Sequence, residues 1–217
     1  MEKRFRYRKL LVSFLVAASF VVKAQTPVDP VVLTVAGKDV PLSEFVYIAG
    51  KNSEVNLSDS ASLCSYLELF KKFKLKVTEA ESLGIDTTQS FASELNGYRE
   101  QLAKSYLKDT QVVSEDVIRS LELEYPDFKH LMQEYRDGIL LFEVSNREVW
   151  NRSSEDKAGL QFFFDQHKAQ YESNSLEMVR GQVIADYQIW LDNQWTERLS
   201  KKYPITVHWD VLKNVSN

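Results

Sequence analysis

One cysteine, seven glycines, five prolines and three histidines in 217 residues leave little material for several kinds of chemistry. With Cys64 alone, no internal disulfide can form, so stability has to come from apolar packing. A single thiol within a helical stretch is expected to be a small buried residue rather than a nucleophile. His130, His167 and His208 fall on three separate elements, and none has a second histidine or cysteine three or four positions away. Metal-ligand spacing is therefore missing, and each is expected to be a surface or hydrogen-bonded histidine. No Gly-rich phosphate loop, GxSxG elbow or HExxH motif occurs. Carboxylates are plentiful, but they stand opposite apolar stripes, where charge marks a solvated face, and no pair is singled out as acid and base. No catalytic residue, cofactor site or metal ligand is assigned on these grounds. The scarcity of glycine and proline points to a helical chain.

Long hydrophobic runs are also scarce, and the longest is informative. Lys3, Arg4, Arg6, Arg8 and Lys9 precede the uncharged stretch Leu10 to Val22, and Val22-Lys23-Ala24 places small residues at the −3 and −1 positions of a signal-peptidase site. Thirteen apolar or small residues fall short of the ~20 that span a bilayer, so a cleaved leader over 1–24 is expected, with Gln25 first in the secreted, soluble chain. No cysteine lies near the junction to suggest a lipoprotein. The leader carries six basic residues and one acidic residue. Its removal leaves 21 basic and 30 acidic side chains from 27 and 31, a net charge of −9. Nucleic acid and anionic membrane surfaces both require a positive footprint, so neither is an expected partner.

The remaining chain reads as helices closed by strands. Val32 to Val35 forms a strand, Ala36-Gly37-Lys38-Asp39 a turn, and 42–50 a first helix. A long second helix over 60–83 is capped by Asp59 or Ser58 and ended by Gly84. The third starts after Thr87 or Thr88 and carries the stripe Phe91, Leu95, Tyr98, Leu102, Tyr106. Ser114-Glu115-Asp116 opens a fourth that stops at Pro126. A fifth over 126–151, with Pro126 at an acceptable first-turn position, carries Phe128, Leu131, Met132, Tyr135, Ile139, Phe142 and Trp150. Ser153-Ser154-Glu155-Asp156 has capping-box spacing for a sixth. The seventh runs to about Lys202 with Tyr187, Trp190, Leu191 and Trp195 inward. Ile205 to Trp209 alternates as a half-buried strand. A lone strand cannot satisfy its backbone, so 32–35 is expected to pair with 205–209 and join the two ends of the chain.

Aromatic residues make up 12% of the chain, and most fall on core faces. By helical angle, Leu75, Leu83, Phe162 and Ile189 point away from their stripes, which makes them candidates for contact with a client polypeptide. Asp59-Ser60-Ala61 fits a short bacterial O-glycosylation sequon and equally a helix start.

Four blocks carry a family likeness: VLTVAGKDVPLSEFVYI (32–48), YLELFKKFKLKVTEAESLGIDTTQSFASELNGYREQLAKSYL (66–107), EYRDGILLFEVSNREVW (134–150) and VRGQVIADYQIWLDNQWTERLSKKYPITVHWDVL (179–212). In content and order they resemble the periplasmic SurA-type chaperones and parvulin-type peptidyl-prolyl isomerases of Gram-negative bacteria. The resemblance implies a mainly α fold of the SurA N-terminal type, with a small two-stranded sheet joining the N- and C-terminal segments. It implies one chaperone domain over 25–217, with strand and helices at 30–110, middle helices at 114–171 and a closing helix and strand at 175–211. Parvulin domains would be inserted at 108–126 and 171–178, and both stretches are too short to hold one. Pro41 departs from the family's usual helix cap. The implied activity is ATP-independent holding of unfolded outer-membrane or secreted proteins in the periplasm, without isomerase catalysis and without a cofactor. An adaptor that assembles with full-length SurA-like relatives is the alternative, and a periplasmic hydrolase with a converging carboxylate pair is a third reading.

Overall fold

The computed structural model describes residues 29–108 and 112–215, and the expected leader over 1–24 with its expected Ala24–Gln25 junction lies outside them. The chain is mainly helical with a small antiparallel sheet. Strand β1 (Val31–Val35) turns into β2 (Lys38–Pro41), which runs directly into helix α1 (Leu42–Ala49). Helices α2 (Ser60–Ser82), α3 (Gln89–Ala103), α4 (Glu115–Glu124) and α5 (Pro126–Ser145) follow. A π-helical turn at Asn146–Trp150 carries α5 into α6 (Asn151–Glu155). Then come α7 (Lys157–His167), the long α8 (Leu176–Lys202), β3 (Ile205–Val207) and the single turn α9 (Trp209–Leu212).

The sheet has three strands in the order β2-β1-β3, one more than expected. The reason lies at Ala36-Gly37. Both take positive φ, 49° and 79°, the backbone of a two-residue hairpin whose twist matches its strands. Val35 therefore faces Lys38, and Lys38 and Asp39, expected to complete the turn, instead open β2. The expected closure is present on the other edge of β1, where Leu33 pairs with Val207, Thr34 with Thr206 and Val35 with Ile205. β3 stops at Val207. His208 N–H still donates to Val32 O at 3.0 Å, but Trp209 begins α9 instead of extending the strand.

Helix ends follow local chemistry. Asp59 accepts from Ser62 N–H, Thr88 from Phe91 N–H and Ser114 from Val117 N–H. Gly84, at φ 71°, ends the helical run after α2. Pro41 cannot cap α1 with its side chain, and Asp29 in the lead-in segment replaces it. Its carboxylate accepts from Ser43 N–H at 3.2 Å and from the Ser43 hydroxyl. The expected capping box at 153–156 is displaced. Ser153 and Glu155 belong to α6, and Asp156 alone caps α7 through Gly159 N–H at 2.8 Å.

α2 lies between α5 and α8 and is the axis of the main core. Phe45, Leu67, Phe70, Leu140, Leu160, Phe164 and Trp195 are fully buried around it, each worth ~1.5–3 kcal/mol by burial. A second, smaller cluster of Ala103, Ile118, Leu121, Phe128 and Met132 holds α4 against α3 and α5. In its first turns α2 buries only Leu63, Tyr66, Leu67 and Phe70, so Cys64 sits off that face and is exposed, contrary to expectation. Farther along, α2 is enclosed on two sides, and Leu75 is buried at 1% exposure. Among the described residues no helix is long and apolar enough to cross a membrane.

Candidate functional site: an aromatic groove between α3 and α5

Of the four residues selected by helical angle, Leu75 is corrected. It packs in the core because α8 covers the side of α2 that a single-stripe reading leaves free. Leu83, Phe162 and Ile189 are exposed at 43%, 64% and 62%, on the end of α2, on α7 and on α8. None of them lines the apolar depression beside α5.

That depression lies between α3 and α5. Tyr98 of α3 meets Tyr135 of α5 with ring centroids 4.8 Å apart. Beside them a hollow of ≈ 540 Å³ is lined by Leu131, Tyr135, Gly138, Ile139 and Phe142, with Glu94 and Tyr98 opposite and the Lys51–Glu134 ion pair also on its wall. A second hollow of ≈ 380 Å³ shares Glu94 and Ile139 with the first and continues past Phe91 to Asn146 and Arg147. With these two residues common to their walls, the hollows lie side by side along the α3–α5 seam, and together they make up the trough. The larger has the size of a pocket that takes an amino-acid side chain or a short peptide segment.

Two features keep this trough open and apolar. Gly138 is exposed in mid-helix, and a Cβ built there would meet nothing within 4 Å. A glycine at such a position costs α5 roughly 0.5–1 kcal/mol relative to alanine, so the open space has a standing cost in helix stability. Phe142 and Trp150 form an edge-to-face pair with centroids at 5.5 Å, and both are exposed. In a regular α-helix, residues eight apart lie about 80° apart around the axis. The π turn at 146–150 absorbs one residue and returns Trp150 to the Phe142 face. Trp190, expected on the inward face of α8, is half-exposed and stacks on Tyr187 at 5.7 Å.

The charged cluster at the heart of the molecule has a different character. Lys74, 8% exposed, pairs with Glu44 and with Asp137 at 2.7 Å. Asp137 also accepts from Gln133 at 2.8 Å and Arg136 at 3.2 Å, and Arg136 reaches Glu81 at 2.8 Å. Glu81 in turn accepts from Lys38 at 2.6 Å. Burial alone would lower the Lys74 ammonium, but Asp137 and Glu44 outweigh it and hold its pKa above the ordinary value. Two carboxylates do converge here, beside a cavity of ≈ 190 Å³. Both are committed to the same ammonium, so the cluster serves as an interlock of hairpin, α1, α2 and α5.

The histidines have local partners. His130 stacks on Tyr47 at 5.1 Å, His167 Nδ1 donates to Phe163 O at 2.8 Å, and His208 Nε2 shares a 3.1 Å hydrogen bond with Thr34. Among the described residues no group of histidine, cysteine and carboxylate side chains has metal-binding geometry. Compared with protein-family models, curated proteins and solved structures, the chain matches none.

Proposed function

We propose that this chain is an ATP-independent periplasmic chaperone that holds unfolded secreted or outer-membrane polypeptides without isomerising prolyl bonds. The observation that carries the reading is the α3–α5 trough, an apolar surface held open by a helix-weakening glycine and flanked by an exposed aromatic pair. An aromatic surface of this kind takes side chains of any apolar type at modest affinity, and several such contacts along one chain add by avidity. Binding the unfolded state by mass action lowers the concentration free to aggregate. The four blocks resembling SurA-type chaperones support the same role, and the short stretches at 108–126 and 171–178 support the absence of a parvulin domain. The leader-like residues 1–24 support delivery to the periplasm.

The test is suppression of aggregation of an unfolded outer-membrane protein by the chain lacking residues 1–24. Wild type is expected to suppress light scattering. Gly138→Leu fills the trough and strengthens α5, so it should lose suppression while melting at or above wild type. Phe142→Ser with Trp150→Ser should also lose suppression, because both rings are exposed and their removal leaves the core intact. Suppression unchanged in Gly138→Leu overturns the groove as the binding surface. Failure of wild type to suppress, together with capture of a folded SurA-type isomerase, would replace holding by an adaptor role. A proline-peptide assay should show no acceleration over the uncatalysed exchange, which takes tens of seconds or more.

A further inference from the structure

We propose that the α3–α5 trough selects extended segments in which aromatic or aliphatic residues are flanked by lysine or arginine. The inference rests on the reading of this trough as the client surface, and it adds a charge rule to it.

The warrant is the set of charges around the apolar floor. Glu94 lines both hollows, is exposed, and makes no ion pair among the described residues. Glu143, on the wall of the smaller hollow, is likewise exposed and unpaired. The third carboxylate, Glu134, is already held by Lys51 at 2.7 Å, which removes both from the balance. Arg147 then stands against two free carboxylates, and it lines only the smaller hollow. A segment that lays an apolar side chain over Ile139 and Gly138 brings its neighbouring residues to the trough walls. Cationic neighbours there find carboxylates, and acidic neighbours meet like charge. The net charge of −9 on the chain lacking residues 1–24 acts in the same direction at longer range.

The experiment uses two end-labelled peptides of equal length with the same Trp/Leu centre, one flanked by lysines and one by glutamates. Binding to the chain lacking residues 1–24 is read by fluorescence anisotropy. The lysine-flanked peptide should bind about 3- to 10-fold tighter at low salt, the size expected for two exposed charge contacts. The preference should shrink in roughly 0.5 M salt, where the screening length is only a few ångströms. Glu94→Gln with Glu143→Gln should bring the two peptides to within about twofold of each other and leave the glutamate-flanked peptide's affinity no weaker. Glu54→Gln with Glu172→Gln, which removes the same charge from exposed sites outside the trough, should keep the preference. Equal binding of both peptides to wild type overturns the charge rule and leaves the groove reading standing. Loss of the preference in the Glu54/Glu172 variant also overturns it, because selection would then follow net charge. Binding of neither peptide removes the groove reading along with the rule.

Discussion

Ala36 holds a backbone conformation that a Cβ resists, φ 49°, because the hairpin turn needs two left-handed residues and only the second, Gly37, is a glycine. Asparagine tolerates this region and is favoured at the first position of such turns. Ala36→Asn is expected to stabilise the chain by about 1 kcal/mol, read as a higher urea midpoint at unchanged slope. Asp137 lies at the opposite extreme. It is 1% exposed and anchors Lys74, Arg136 and Gln133. Asp137→Ala would leave the Lys74 ammonium buried with half its compensation, at a cost of about 3–5 kcal/mol by denaturant unfolding. Nothing in the sequence announced this residue. Asp137 follows Arg136 on a helix and reads as a solvated charge, while its ammonium partner stands 63 positions away on another helix. The caps at Asp59, Thr88 and Ser114 were legible because each side chain acts on a backbone N–H three residues ahead.

At the scale of elements, periodicity located most of the helices and failed where a helix has more than one neighbour or changes pitch. Leu75 was misplaced because α2 is packed by α5 and α8 at once, and a stripe argument allows only one buried face. The facing of Trp150 was not legible, because a π turn shifts the register by one residue, which no 3.6-residue pattern contains. The trough itself had one sequence signal, Gly138 within a run that is otherwise helix-forming, and its meaning depended on α3 lying alongside. The α6–α7 joint shows the same dependence on tertiary contact. Asp156 caps α7 and also accepts from the Tyr187 hydroxyl of α8 at 3.1 Å, and a Cβ on Gly159 would collide with both groups. Gly159→Ala should therefore break the cap and the α7–α8 link together, lowering stability by roughly 1–3 kcal/mol in a thermal melt despite the better helix propensity of alanine. Gly138→Ala, with open space around it, should change stability in the opposite direction.

For the whole molecule, the clamps that hold its two ends together are ionic as well as apolar, and they titrate. Burial pushes the Glu79 and Glu81 carboxyls up, but hydrogen bonds outweigh it, from Lys202 and Tyr203 to Glu79 and from Lys38 and Arg136 to Glu81. Both are held below the ordinary value of 4.5. Their stabilisation is present above the unfolded pKa and is lost as pH falls through the folded one. The raised Lys74 behaves oppositely, contributing fully below 10.5 and losing its contribution as pH rises through its folded pKa. Melting temperature should form a plateau between these limits and fall on either side, with Glu79→Gln and Glu81→Gln flattening the acid limb. The same clamp sets up the strongest test of closure. Cutting after Lys202 removes Tyr203, whose hydroxyl donates to Glu79 at 2.5 Å, and Pro204, whose carbonyl accepts from Ala36 N–H at 2.9 Å. It also removes β3 from the edge of β1 and withdraws Leu212, which is fully buried. Burial of one such side chain is worth ~1.5–3 kcal/mol, and a domain of this size has only ~5–15 in all. The strand hydrogen bonds and the Tyr203 contacts are lost in the same step, so the truncated chain should melt many degrees below the parent and expose β1 on one side. A truncated chain melting within about two degrees of the parent would mean that β3 and α9 lie on the fold without holding it together.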